Sequence, residues 1–486
     1  MAGAILPLAF APLSAYPLAL AAPALLFLLI DGQRPGFAAR CGFAFGFGMF
    51  VFGTYWLYIS VHHFGKAPLY IALPVMMSLI AVMAAWYSLL AWVCARWLTG
   101  SASTRWLLSW PAAWVIGEWL RGWVGSGFPW LSLGYSQVDS PLAGFAPLAG
   151  VYGVSWATVL VAGGIVLFLR GSAKSRWLGI FAALAVWLGG AVLRTVSWTV
   201  AEGEPAQVML AQGNISQDRK WLPEQRQPTL DLYRDLTLAN LDSELIVWPE
   251  AAIPALVSEE TGYLSEVWTQ VQEAGGVLVL GVLRLDSYDW EVRNSLLALG
   301  EEPSFYDKRH LVPFGEYFPV PDFVRNWLRL MSLPYSDIEP GTDDQEVLKA
   351  GRFRIAPTIC YEDAFGAEQR LFLPEANLLV NVSNDAWFGD SVAPHQHLQI
   401  ARMRALETER FLIRSTNTGV SAVVDSKGRV VARSPQFQVA TLKATVQPLT
   451  GATPFVSGGT LPLLGLLLLA IVAGTLPARF RQHKPR

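Results

Sequence analysis

The stretch Arg354-Ile355-Ala356-Pro357-Thr358-Ile359-Cys360-Tyr361-Glu362 is a short apolar run that ends on a thiol and then turns acidic. Two upstream stretches have the same form. Glu244-Leu245-Ile246-Val247-Trp248-Pro249-Glu250 ends on a carboxylate, and Ser304-Phe305-Tyr306-Asp307-Lys308 ends on an amine. A base, a cation and a thiol that each follow a strand-like run can meet at one sheet edge, which makes Glu250, Lys308 and Cys360 the candidate catalytic set.

Composition places this site beside a membrane. Charged residues are 15% of the chain and hydrophobic ones 53%, whereas about a quarter of a soluble domain is charged. The mean hydropathy of +0.36 agrees. A net charge of -2 leaves no basic surplus to release counterions from a polyanion, so no nucleic-acid partner is expected.

The apolar residues are concentrated at 1–200 and 458–480, which predicts seven membrane helices, then a soluble domain at 203–455, then a final helix and a short cytoplasmic tail at 481–486. A span needs about 20 mostly apolar residues. Segments near 42–61, 69–95, 104–123, 146–169, 177–194 and 459–478 qualify, while Pro7, Pro12, Pro17 and Pro23 leave 3–31 open to one kinked span or two short ones. Met1-Ala2-Gly3-Ala4 lacks a positive n-region, so no cleaved signal peptide is expected. Arg34, Arg40, Arg96, Arg105, Arg170, Lys174, Arg176, Arg479, Arg481, Lys484 and Arg486 fall on alternate connections. The positive-inside rule puts those in the cytoplasm and 203–455 outside it, and favours two spans before Arg34.

That location gives the cysteine count meaning. Cys360 has no second cysteine in its domain, because Cys41 and Cys94 lie in or near the spans. A buried thiol often packs as a small hydrophobe; Glu250, Lys308, Glu362 and Asp363 argue for a nucleophile instead. Candidate strands at 207–212, 245–248, 277–282, 295–299, 353–359, 378–382 and 420–424 alternate with helices at 224–242, 260–274 and 395–410, the order of a layered α/β domain. His395 and His397 have no third ligand at a familiar spacing, and a thiol mechanism needs neither metal nor cofactor.

The Trp-Pro-Glu ending at Glu250, Tyr306-Asp307-Lys308 followed by His310-Leu311-Val312-Pro313-Phe314-Gly315-Glu316, and Ile359-Cys360-Tyr361-Glu362 together resemble the nitrilase superfamily and its Glu-Lys-Cys triad. Gly127-Phe128-Pro129-Trp130-Leu131-Ser132-Leu133-Gly134-Tyr135 and Ser383-Asn384-Asp385-Ala386-Trp387-Phe388-Gly389 narrow the resemblance to the bacterial apolipoprotein N-acyltransferases, over essentially the whole chain. The resemblance implies an αββα sandwich on a membrane domain of about eight helices, in the inner membrane with the catalytic domain on the periplasmic side. It also implies acyl transfer from a phospholipid, typically phosphatidylethanolamine, through a thioester to the α-amino group of a diacylglyceryl-cysteine.

The resemblance also implies that Glu316 supports the oxyanion region and that Trp221, Tyr361 and Glu362 matter to the site. The ordinary alternatives are a packed or exposed Trp221, a solvated Glu316 and a Glu362 that only holds Lys308. Glu118 and Arg121, three apart on one helix, either pair structurally or face a head group. The apolar segment 326–335, with Trp327, Leu330, Met331 and Tyr335, is expected to be a membrane-facing lid, and Trp130 joins these as a substrate-binding candidate. A membrane-anchored amidase that uses water as acceptor needs the same three residues, and a non-catalytic receptor leaves them unexplained.

Overall fold

Two units divide the chain: residues 1–198, 390–407 and 453–486 form one, and 199–389 with 408–452 the other. The computed structural model describes residues 1–286, 290–313, 315–317 and 338–475. The expected lid and its Trp327, Leu330, Met331 and Tyr335 lie outside the described residues, as does the tail with Arg479, Arg481, Lys484 and Arg486.

The first unit is helical. Among the described residues four helices are long and apolar enough to cross a bilayer: Pro35–Gly53, Leu69–Trp97, Pro141–Arg170 and Ala173–Leu193. Leu18–Ile30 and Leu461–Thr475 are apolar but shorter. The proline-rich start is broken, with Ala2–Ile5 and a tight turn at Leu6–Ala9 separated from Leu18–Ile30. The apolar stretch expected at 104–123 is a wide turn at Arg105–Ser109 running into the helix Trp110–Arg121.

Glu118 and Arg121 both serve the chain that follows this helix. Glu118 Oε1 accepts from Trp114 Nε1 at 2.9 Å and from the Leu133 N–H at 3.0 Å. Arg121 donates to the carbonyls of Phe128 and Trp130, the latter at 2.7 Å, and to Ser132 Oγ at 3.1 Å. These bonds satisfy backbone groups of an irregular segment that has no helical partners of its own. Both side chains thus hold the following backbone, and among the described residues no ion pair joins them to each other.

The helix Ala393–Thr408, expected among the helices of the soluble segment, groups with the first unit over 390–407. Its polar side chains explain why. Gln396 Oε1 accepts from Trp130 Nε1 at 2.7 Å, Arg402 pairs with Asp139, and Glu407 Oε1 accepts the Val151 N–H at 2.5 Å.

The second unit holds two six-stranded sheets. One runs Ala440–Val446, Ala206–Gln212, Leu245–Val247, Val277–Leu285, Val292–Leu299, Pro303–Asp307; the other runs Val430–Arg433, Ala422–Val424, Leu412–Thr416, Leu378–Ser383, Phe353–Ile359, Leu348–Ala350. The central strands of each are parallel and the outer ones antiparallel. Parallel strands are covered on both faces, so Leu245-Ile246-Val247 and Leu378–Ser383 are buried at every position. Ser415 Oγ reaches the carbonyls of Ala211 and Val247, which joins the sheets face to face.

On the outer face of the first sheet, the helices Pro223–Leu238 and Thr261–Glu273 lay Leu230, Tyr233, Leu264, Val267 and Val271 over Met209, Ile246, Trp248 and Leu278. Each fully buried Leu, Ile or Val contributes about 1.5 to 3 kcal/mol. Trp248 also stacks on Tyr233 at 5.0 Å and donates its Nε1–H to Thr237. The run ending at Glu250 is thereby fixed from behind.

Candidate active site

Strand ends deliver the three candidate residues. Glu250 follows Leu245–Val247, Cys360 follows Phe353–Ile359, and Lys308 follows Pro303–Asp307. The first two strands are parallel members of their sheets, whose carboxyl ends are where α/β sheets gather reacting groups.

Cys360 stands at φ +53, a left-handed backbone rare outside glycine, and opens a short turn to Ala364. Such a conformation costs about 1 to 3 kcal/mol and persists where its surroundings enforce it. Glu362 is the enforcer. Its Oε2 accepts the Ile359 N–H at 2.8 Å, and its Oε1 accepts the N–H of Arg309 at 2.7 Å, the N–H of His310 at 3.1 Å and the Tyr306 hydroxyl at 2.9 Å. The ordinary alternative, a Glu362 that only holds Lys308, does not describe these bonds. Glu362 binds the backbone on both sides of the site, and burial raises its pKa even against the pull of Lys308.

Lys308 is buried, with Nζ 2.8 Å from Glu316 Oε1 and 3.9 Å from Glu250 Oε1. Burial works against its charge, but Glu316, Glu250 and Cys360 outweigh that and lift its pKa above the ordinary lysine value. Glu316 is no solvated carboxylate: Oε1 also receives Asn294 Nδ2 at 3.3 Å, and Oε2 the Val312 N–H at 2.8 Å.

Glu250 is 7% exposed. Asn294 Nδ2 donates to Oε1 at 2.8 Å and the Asn384 N–H to Oε2 at 2.8 Å. Its backbone lies tight over Gly281, where a Cβ would come within 2.5 Å of the Glu250 Cα. Burial and the Glu250 charge push the Cys360 thiol up, Lys308 pulls it down, and Ser383 lowers it through a side-chain hydrogen bond. Behind the thiol, the buried Arg414 guanidinium donates to Asp363 at 3.1 Å, to Asp385 at 3.1 Å and to Asn381, tying the Cys360 turn to the 384–389 loop.

The remaining candidates divide. Tyr361 packs its ring against His310 and Phe365 beside Cys360. Trp221 is 47% exposed in the second unit, and Trp130 is buried in the first. Sequence reasoning missed Asn294, Gly281, Arg414 and Lys220. Asn384 sat inside a quoted motif with no role attached. Lys220 gave no signal, since Arg219-Lys220-Trp221 looks like a solvated segment, yet it is 2% exposed and its Nζ lies 3.3 Å from the Glu250 carbonyl oxygen.

Residues 207–455 match the family described as carbon-nitrogen hydrolase, so the second unit carries a nitrilase-like domain with a carboxylate, an amine and a thiol at its strand ends. Residues 2–164 match the apolipoprotein N-acyltransferase N-terminal domain. A relative from Methylococcus capsulatus, named apolipoprotein N-acyltransferase, is 41% identical over 485 residues, covering 99% of this chain and 95% of its own. Proteins of the same name from Vibrio cholerae and Pseudomonas aeruginosa are 40% and 41% identical, each covering 100% of this chain and 96% of their own length. The chain belongs to the apolipoprotein N-acyltransferase family.

Proposed function

We propose that the protein is a bacterial inner-membrane enzyme that moves an acyl chain from a phospholipid to the α-amino group of a diacylglyceryl-cysteine, with Glu250, Lys308 and Cys360 as its catalytic residues. The observation that carries the reading is that all three sit at strand ends of one carbon-nitrogen hydrolase unit, in a chain that matches N-acyltransferases over its full length.

In the first half-reaction Glu250 takes the Cys360 proton and the thiolate attacks the ester carbonyl of the donor, phosphatidylethanolamine being the expected one. Lys308 stands nearest the developing oxyanion, with a backbone N–H near Tyr361 as second donor. Collapse forms the thioester, and the departing alkoxide takes the proton back from Glu250 to leave as lysophospholipid. In the second, the acceptor amine attacks the thioester and gives its proton to Glu250, and the amide leaves as Cys360 regains a proton. Glu316 and Asn294 hold Lys308 and Glu250 in place, as their hydrogen bonds to these groups support. The segment 326–335 acts as lid and Trp221 meets the lipid.

The helices are read as eight spans over 1–200 and 458–480, with 203–455 on the periplasmic side and 481–486 in the cytoplasm. The charge pattern of the connections supports this orientation. Initial rates over both substrates test the scheme: a parallel-line pattern is expected. Discharge of the acyl group to water at the same rate with or without the peptide amine would make the protein an amidase-type hydrolase instead.

A further inference from the structure

The catalytic unit buries a lysine that the scheme above does not use. The Lys220 ammonium is 2% exposed, and its one polar side-chain contact among the described residues is the Glu250 carbonyl oxygen at 3.3 Å. The Trp221 ring lies 5.7 Å away, and no carboxylate forms an ion pair with Lys220 among the described residues. A buried ammonium without a counter-ion is costly, so its place needs a reason.

The Glu250 main chain supplies one. Ala251 is held at φ +45, and Gly281 leaves just the space the Pro249-Glu250-Ala251 backbone fills. The Gly281 N–H fixes the Pro249 carbonyl at 3.2 Å and the Gly281 carbonyl accepts the Ala252 N–H at 2.8 Å. Between those two anchors, the carbonyl of Glu250 itself is held by Lys220.

We infer that Lys220 is a positioning residue: its ammonium grips the Glu250 carbonyl and offsets the Glu250 carboxylate charge, so that the base faces Cys360 in one orientation with part of its repulsion for the thiolate cancelled. The charged groups that meet here are few. Glu250 acts on Lys220; Lys308 and Cys360 lie around Glu250, with Glu316 joined through Asn294, and Asp385 acts on Cys360. Burial lowers the Lys220 pKa to about 8 against the pull of Glu250. The cation is thus present at neutral pH and lost as pH rises past that value.

The proposal rests on Glu250 being the base beside Cys360, but its test needs no acyl donor or acceptor. The rate of Cys360 alkylation by iodoacetamide is followed from pH 6 to 10 by intact mass in the full-length, detergent-purified protein. In wild type, the logarithm of the rate should rise with pH and bend to a lower slope near 8, where the helping charge disappears. K220M should be about three- to tenfold slower at pH 7, the effect of a half to one unit in apparent pKa, show no bend, and meet the wild-type curve above pH 9. In the E250Q background K220M should slow alkylation by less than it does in wild type, because the part of the effect that runs through Glu250 is gone and only the direct pull of the ammonium on the thiolate remains. A wild-type profile with no bend overturns the proposal even if K220M does not fold, as does a K220M deficit equal at every pH or one of undiminished size in E250Q. Success or failure of acyl transfer is read separately and leaves all these outcomes unchanged.

Discussion

Glu362 accepts the backbone N–H of Arg309 at 2.7 Å, so the carboxylate two residues after the thiol fixes the chain one residue after the lysine. The same side chain takes the Ile359 N–H, and the left-handed Cys360 lies between these attachments. Lys308 and Cys360, which follow strands of different sheets, are registered through one buried carboxylate.

Glu362→Gln tests that registration. An amide presents an acceptor to only one side, so either the Ile359 N–H or the group formed by Arg309, His310 and Tyr306 faces an NH2. The unpaired donors should cost about 1 to 3 kcal/mol, visible as a lower Tm of the purified protein, with acyl loading of Cys360 reduced further than the loss of folded protein explains. An unchanged Tm and loading rate would mean that the turn holds itself. The raised Glu362 pKa gives the wild type a linked trend. Its protonated form is favoured in the folded state, so this group's contribution is full below the ordinary carboxylate range and is lost as pH rises through its folded value.

The thiol makes a second prediction, with opposite signs for two variants. Burial and Glu250 hold the Cys360 pKa above its usual value, so alkylation should be slow at pH 7 and rise in alkaline solution. Glu250→Gln removes a repelling charge and should shift the alkylation curve to lower pH; Lys308→Met removes an attracting one and should shift it higher. Acyl loading should nevertheless fall in both, by about a hundredfold or more, on the scale of one lost oxyanion donor. Parallel movement of alkylation and loading in Glu250→Gln would contradict its assignment as base.

Legibility in the sequence followed contact distance along the chain. The helices Pro223–Leu238 and Thr261–Glu273 and the strands at 206–212, 277–285 and 353–359 were readable because their apolar runs and periods are local. Leu412–Thr416 was missed because Arg414 and its polar neighbours hide a strand that is wholly buried, made tolerable by Asp363, Asp385 and Asn381 from distant turns. The edge strands Val430–Arg433 and Ala440–Val446 alternate half-buried with exposed positions, too weak a contrast to stand out. Glu250, Lys308 and Cys360 were marked by the runs before them. Lys220 and Asn294 were not, because what distinguishes them is burial against Glu250 and its carboxylate, a property of the fold. The grouping of 390–407 with the helical unit depends on partners such as Asp139 and Trp130, more than 200 residues upstream.

The loop charges predict a topology that reporters can check. A reporter joined after Arg486 should be active only in the cytoplasm, and one inserted near Ser258 only outside it. The reverse pair of results would turn the protein over in the membrane and remove the periplasmic placement.

The central claim is that Cys360 carries the acyl chain, and intact mass of the purified protein incubated with phospholipid alone measures it directly. Wild type should gain the mass of one fatty acid less water, mapped to the peptide containing Cys360, and release it as an amide on addition of a diacylglyceryl-peptide. Cys360→Ala should fold and gain nothing, and Cys360→Ser should fail as well, because a hydroxyl is far less acidic than a thiol. An adduct on any other residue, or product formed by Cys360→Ala, would contradict the account.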